Sequence, residues 1–215
     1  MVSEIRIYAE GGGDQRSGKA AIQEGFSKFF SPLKEMARER HIRWYVVACG
    51  SRRAAFDAFK IALKQHHEAF NVLLVDAESP VTRPPWEHLE ESDRWPKQEV
   101  PDDHCHLMVQ VMEAWIIADL ETLTRFYGQG FNPNPIPRQD DAELISKADL
   151  AKALTLATQK TQKGEYHKIR HGPKILGQVD VNKVRNRAHH CERMFATLSN
   201  KLSETSNMLE SDRKL

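Results

Sequence analysis

Val72-Leu73-Leu74-Val75-Asp76-Ala77-Glu78-Ser79-Pro80 puts four apolar residues in a row and then stops at two acids and a proline. An uninterrupted apolar run has no solvent face, so it predicts a strand buried on both sides, as in a parallel sheet covered by helices. Upstream, Ile5-Arg6-Ile7-Tyr8 is β-branched and aromatic and ends at Gly11-Gly12-Gly13, which predicts a strand closed by a turn. Between the two, Ala21, Ile22, Phe26, Phe29 and Phe30 fall at helical spacing, so a helix is expected over about 17–40, kinked or divided at Pro32. Residues 42–48 predict a second strand, and Gly50-Ser51 a turn and N-cap before a helix carrying Ala55, Phe59 and Ala62. Strand, helix, strand, helix, strand is the rhythm of an α/β fold with a mostly parallel sheet and helices on both faces.

Downstream the pattern changes. Residues 79–103 hold five of the ten prolines and read as a long ordered loop over the sheet edge. His106-Leu107-Met108-Val109 reads as a fourth strand, and Glu113 to Tyr127 as helix. From Ala142 the pattern is helical, with breaks at Lys163-Gly164 and His171-Gly172-Pro173. The expected organisation is an α/β core over 1–127, a helical C-terminal elaboration over 128–205, and a frayed tail over 206–215.

The 215 residues are 40% hydrophobic and 28% charged, the composition of a folded globular chain rather than a disordered one. No run approaches the ~18 apolar residues of a membrane span, and the N-terminus lacks the apolar segment of a signal peptide. Three widely spaced cysteines, Cys49, Cys105 and Cys191, fit reduced thiols and therefore a cytoplasmic setting. The net charge of +1 is unevenly spread: Gln159–Arg193 carries +6 and the remainder −5. A basic segment thus sits on an acidic body.

The acids of that body gather at strand ends. Glu10 follows the first strand, and Asp76 with Glu78 follows the third. In a parallel sheet both points lie on the carboxyl edge, where open α/β sheets bind ligands. Three carboxylates there suit Mg²⁺, which prefers oxygen donors. Glu113, after the fourth strand, is a further acid for the same edge or else a carboxylate favoured by a helix N-terminus.

In this order the motifs Tyr8-Ala9-Glu10-Gly11-Gly12-Gly13-Asp14, Gly50-Ser51-Arg52, Leu74-Val75-Asp76-Ala77-Glu78, Met112-Glu113-Ala114-Trp115 and Lys163-Gly164-Glu165-Tyr166-His167-Lys168 carry a resemblance. The chain resembles the TOPRIM core of topoisomerases, primases and related nucleases. More closely, it resembles a bacterial TOPRIM-like family catalogued as domain of unknown function 4276. The resemblance implies a Rossmann-like sheet and Mg²⁺- or Mn²⁺-dependent cleavage of nucleic-acid phosphodiesters. In that reading Glu10 is a metal ligand or general acid/base, Asp76 and Glu78 hold metal, and Glu113 assists. It also implies work beside a partner ATPase, in phage defence or DNA processing, either as nuclease or as a non-catalytic binding subunit. Glu78 departs from the wider pattern, which has a second aspartate there.

Two other readings compete. Gly13-Asp14-Gln15-Arg16-Ser17-Gly18-Lys19-Ala20 nearly matches a phosphate-binding loop, with Leu73-Leu74-Val75-Asp76 as its acidic strand. Against that reading, Ala20 replaces the hydroxyl residue that would meet Mg²⁺, and Glu10 would crowd the phosphates. His104-Cys105-His106 and His189-His190-Cys191 invite zinc but match no standard spacing. In the basic segment, Lys160, Lys163, Lys168, Arg170 and Lys174 surround Tyr166, a composition suited to phosphate contact and base stacking. Arg52 is placed to reach a phosphate at the sheet edge.

Overall fold

The computed structural model describes residues 2–212, with side chains described for 2–204. Four strands build the sheet: β1 (Glu4–Glu10), β2 (Arg43–Gly50), β3 (Phe70–Asp76) and β4 (Cys105–Met108). All pairings are parallel and the order is β2-β1-β3-β4. Every residue of β3 is buried, as its apolar run requires. From β1 the chain crosses to β2 on one side and returns to β3 on the other. The carboxyl ends of β1 and β3 therefore flank the point where strand order reverses, the place where such sheets form a crevice.

Helices cover both faces. On one lie α1 (Arg16–Phe29) and α2 (Ser31–Glu39), packed on Ile5, Ile7, Val72 and Leu74. The expected break near Pro32 is a division into two helices, with the proline in the first turn of α2, where no backbone N–H is needed. On the other face α3 (Arg52–Gln65) packs Phe56 and Phe59 against Leu73 and Val75. Its start is fixed by the Ser51 hydroxyl, which accepts a hydrogen bond from the Ala54 amide at 3.2 Å.

Residues 79–103 are not one long loop: they contain α4 (Pro85–Asp93), whose Trp86 and Leu89 are buried against the same face as α3. Pro84-Pro85 opens this helix, so two of the five prolines mark a helix start. The expected helix over Glu113–Tyr127 is two, α5 (Glu113–Ile117) and α6 (Leu120–Tyr127). The helical C-terminal part comprises α7 (Lys147–Thr158), α8 (Gly172–Leu176), α9 (Val181–Arg187) and α10 (His189–Asp212). Residues 159–171 are non-helical throughout, a longer interruption than the two breaks expected there.

The C-terminal helices share the core of the sheet. Phe195 of α10 meets the rings of Phe29 and Phe30 at 5.7 and 5.8 Å, and Trp115 of α5 stacks on Phe29 at 5.1 Å. Of the tail expected to fray, 206–215, the α10 backbone runs to Asp212; its side chains and the last three residues lie outside the described residues. No helix among the described residues is long and apolar enough to cross a membrane.

Candidate metal centre

The β1 and β3 carboxyl ends bring Glu10, Asp76 and Glu78 together. One carboxylate oxygen from each lies within 4.8 Å of the others, although Glu10 and Asp76 are 66 positions apart. Glu10 Oε2 accepts a hydrogen bond from the Asp76 backbone N–H at 3.1 Å, which ties the two strand ends together. Asp76 is buried; its Oδ1 accepts from the Met112 amide at 2.8 Å and its Oδ2 from the Lys168 ammonium at 2.7 Å. Glu78 sits in the left-handed region at φ +68°, uncommon for a residue with a Cβ. Two backbone bonds hold it there: Ala77 N–H to Met108 O at 2.9 Å and Glu78 N–H to Gln110 O at 2.8 Å. Such a conformation persists only where the surroundings over-determine it.

Glu113, the first residue of α5, joins the centre from β4's side. It is buried, its Oε1 accepts from the Tyr166 hydroxyl at 3.0 Å, and its Oε2 has no hydrogen-bond partner. The Lys168 ammonium stands 3.7 Å from that oxygen. Lys147, at the start of α7, pairs with Glu78 Oε2. Two lysines from the C-terminal part thus face the carboxylates of the sheet edge.

Burial pushes the Glu10 carboxyl up to about 7, with the Asp76 charge adding to it and the Asp76 amide, Arg52 and Lys168 pulling back. Burial also raises Glu113, with Lys168 offsetting part of the rise and Asp76 adding to it. For Lys168, burial works against the charge, but Asp76 and Glu113 outweigh it and hold the ammonium well above its ordinary value. Burial, reinforced by Glu113, raises the Tyr166 phenol far out of the physiological range, so it acts as a neutral donor.

The donor set fits a hard divalent cation: all oxygens, from carboxylates of two adjacent strand ends, with a buried carboxylate oxygen that accepts no hydrogen bond beside them. The second group of three donors among the described residues is Glu143 with His189 and His190. There, both Glu143 oxygens are engaged by His190, through its backbone N–H at 2.8 Å and its Nδ1 at 2.6 Å. A carboxylate on the first residues of α10 is sufficiently explained as a helix N-terminal partner.

The cysteines do not join their neighbouring histidines in a donor group. Cys105 and Cys191 are buried free thiols, His104 Nδ1 bonds the Asn71 carbonyl at 2.7 Å, and His106 Nε2 the Asp103 carbonyl at 3.0 Å. Nor does Gly13–Lys19 form an open phosphate cradle. α1 already begins at Arg16, and Gly12 lies so close on Gly18 that a Cβ at Gly18 would sit 2.0 Å from the Gly12 carbonyl oxygen. Gly50, at φ +90°, closes on the same loop, with its ideal Cβ 2.7 Å from Gly13 O.

The basic segment is divided. Lys160, Lys163, Arg170 and Lys174 are exposed, as expected of groups available to phosphates, although Lys163 rests 5.4 Å over the Phe126 ring. Lys168 is exposed too and Tyr166 half-buried, but 159–171 folds back over the carboxyl edge and delivers both to the acids. Arg52 lies at the edge, pairs with Asp93 and sits 5.4 Å over Trp95, leaving Nη1 buried without a hydrogen-bond partner. Lys147 was not singled out from sequence, yet a signal existed. It is a cation in the first turn of a helix capped by Ser146, where the helix dipole disfavours positive charge unless an acid faces it.

No curated protein and no solved structure matches the chain. A family model described as a domain of unknown function (DUF4276) matches residues 9–199, from the end of β1 into α10 and through all four acids of the centre. The chain belongs to the DUF4276 family.

Proposed function

We propose that Glu10, Asp76 and Glu78 hold Mg²⁺ or Mn²⁺ and that the centre hydrolyses a nucleic-acid phosphodiester, as in TOPRIM-like nucleases. The observation that carries this reading is the convergence of three carboxylates where strand order reverses, one of them, Glu10, raised to about 7. A bound divalent ion supplies charge stabilisation at the phosphoryl oxygens and lowers the pKa of water.

The chain's own groups do the rest. Glu10, at that edge, is the base that takes the proton of the attacking water. As the water oxygen bonds to phosphorus, the bond to the departing sugar oxygen breaks, and that oxygen needs a proton. A solvent water supplies it, and Glu113, beside Lys168, positions that water through the Oε2 that has no hydrogen-bond partner. Tyr166 fixes the Glu113 orientation by donating to Oε1. Lys168 and Lys147, with Arg52 nearby, offset the negative charge that phosphate brings to an acidic edge. The exposed Lys160, Lys163, Arg170 and Lys174 hold more distant phosphates. The three buried, unpaired thiols support a reducing, cytoplasmic setting.

One observation favours a second reading: Asp76 and Glu78 are each paired with a lysine of the chain itself. A centre closed in this way suits a non-catalytic subunit that binds and regulates a partner ATPase. Turnover separates the two. Purified protein with labelled DNA or RNA and Mg²⁺ or Mn²⁺ is expected to cleave, and Asp76→Asn to lose at least about 100-fold in rate with unchanged circular dichroism. Absence of metal-dependent cleavage on both nucleic acids would reject the hydrolytic reading.

A further inference from the structure

A cavity of about 290 Å³ opens directly beside the carboxylate centre. It shares Glu113, Lys147 and Lys168 with that centre, and Tyr166 lines it as well. Its remaining walls come from Val111 and from one face of α7: Leu150, Ala151 and Thr155. The two lysine side chains are about half exposed and Glu113 is buried, with the Lys168 ammonium 3.7 Å from its Oε2, so the charged groups gather on the side of the cavity next to the carboxylate centre. Apolar walls beside two lysines, next to a metal-type acidic edge, complement a group that is apolar on its faces and attached to phosphate.

We infer that this cavity is a subsite for one unpaired nucleobase next to the reacting phosphate, which makes single-stranded or locally opened nucleic acid the substrate class. The inference rests on the phosphodiester reading above. A volume of about 290 Å³ has room for one ring system. Charge complementarity sets the orientation: the phosphate remains with Lys147 and Lys168 next to the carboxylate centre while the base passes between α7 and Tyr166. A base stacked and paired in a duplex has no route into a side cavity, so it must be unpaired or extruded first. Beyond Glu113 Oε2 and the Tyr166 hydroxyl already given to Glu113, Thr155 offers one hydroxyl among apolar neighbours, too little for full readout of base identity. The subsite is therefore tolerant of sequence.

The test uses single-stranded oligonucleotides in which one nucleotide at a time is made abasic, together with the double variant Ala151→Leu/Thr155→Leu. Ala151 is exposed on α7, so the added bulk enters the cavity without displacing core. With wild type, one abasic position beside the cleaved bond should lower kcat/KM about 10-fold or more. A paired duplex of the same sequence should fall similarly. In the double variant the intact strand should drop to the abasic level, so that the discrimination disappears. Cleavage that is insensitive to abasic substitution at every position, or equal on duplex and single strand, overturns the subsite while leaving hydrolysis standing. If nothing is cleaved, fluorescence anisotropy of the labelled strand in EDTA decides. A loss of affinity of about 10-fold in the double variant supports the subsite without hydrolysis, and equal affinity of the two proteins overturns it.

Discussion

Replacing Lys168 by Met removes one charge and keeps most of the side chain's bulk, which isolates its role as a built-in counter-ion. Its ammonium lies 2.7 Å from Asp76 Oδ2 and 3.7 Å from Glu113 Oε2. At an effective dielectric near 20, unit charges at the shorter distance attract by about 6 kcal/mol. Most of that is cancelled by desolvation and by water over the 46% of the Lys168 side chain that stays exposed, leaving about 1–2 kcal/mol. For a chain of this size, that is a fall in Tm of about 2–8 °C at pH 8. The loss should shrink towards pH 5, because Glu10 and Glu113, both raised, take up protons and no longer need a counter-ion. The decisive part is the response to metal. With Asp76 and Glu113 uncompensated, millimolar Mg²⁺ or Mn²⁺ should raise the Tm of Lys168→Met by more than it raises that of wild type. A variant as stable as wild type, with the same metal-induced shift, would refute the argument that Lys168 holds the place of a cation.

Glu10→Gln tests the near-neutral carboxyl by its pH dependence. Glu10 keeps its proton to about 7 when folded against an ordinary 4.5, so the folded state binds the extra proton in that window and stability falls as pH rises through it. The glutamine variant should therefore gain about 1–3 kcal/mol on wild type between pH 4 and pH 8, read from urea unfolding at each pH; parallel curves would contradict the shift. Gly18→Ala should cost at least about 2 kcal/mol in the same assay, because its Cβ would meet the Gly12 carbonyl; a neutral result would mean the glycine loop is looser than described. Lys163→Ala with Arg170→Ala, both exposed, should make the dependence of log K on log salt shallower by about 1–2; an unchanged slope would turn that surface towards water or protein.

The sheet and its acidic edge were legible because they follow from local pattern. The apolar run of β3 requires burial on both faces, and a parallel rhythm places Glu10 and Asp76 on one edge whatever lies between them. What surrounds the acids was not legible. Lys168 reaches Asp76 across 92 positions and Tyr166 reaches Glu113 across 53. Inside a segment of +6, Lys168 reads like its neighbours; only the fold-back of 159–171 sets it apart. Prolines misled at Pro84-Pro85, where restricted φ starts α4 as readily as it would shape a loop.

The claim on which the account depends is that the carboxyl edge of β1 and β3 is a divalent metal site. Crystals of the protein soaked in Mn²⁺ and measured for anomalous scattering test it directly. The account predicts a peak between Glu10, Asp76 and Glu78, with Lys168 or Lys147 displaced from its acid, and no peak there in Asp76→Asn. An empty carboxyl edge with both lysines still paired, while Mn²⁺ sits elsewhere, such as on Glu143, His189 and His190, would contradict it.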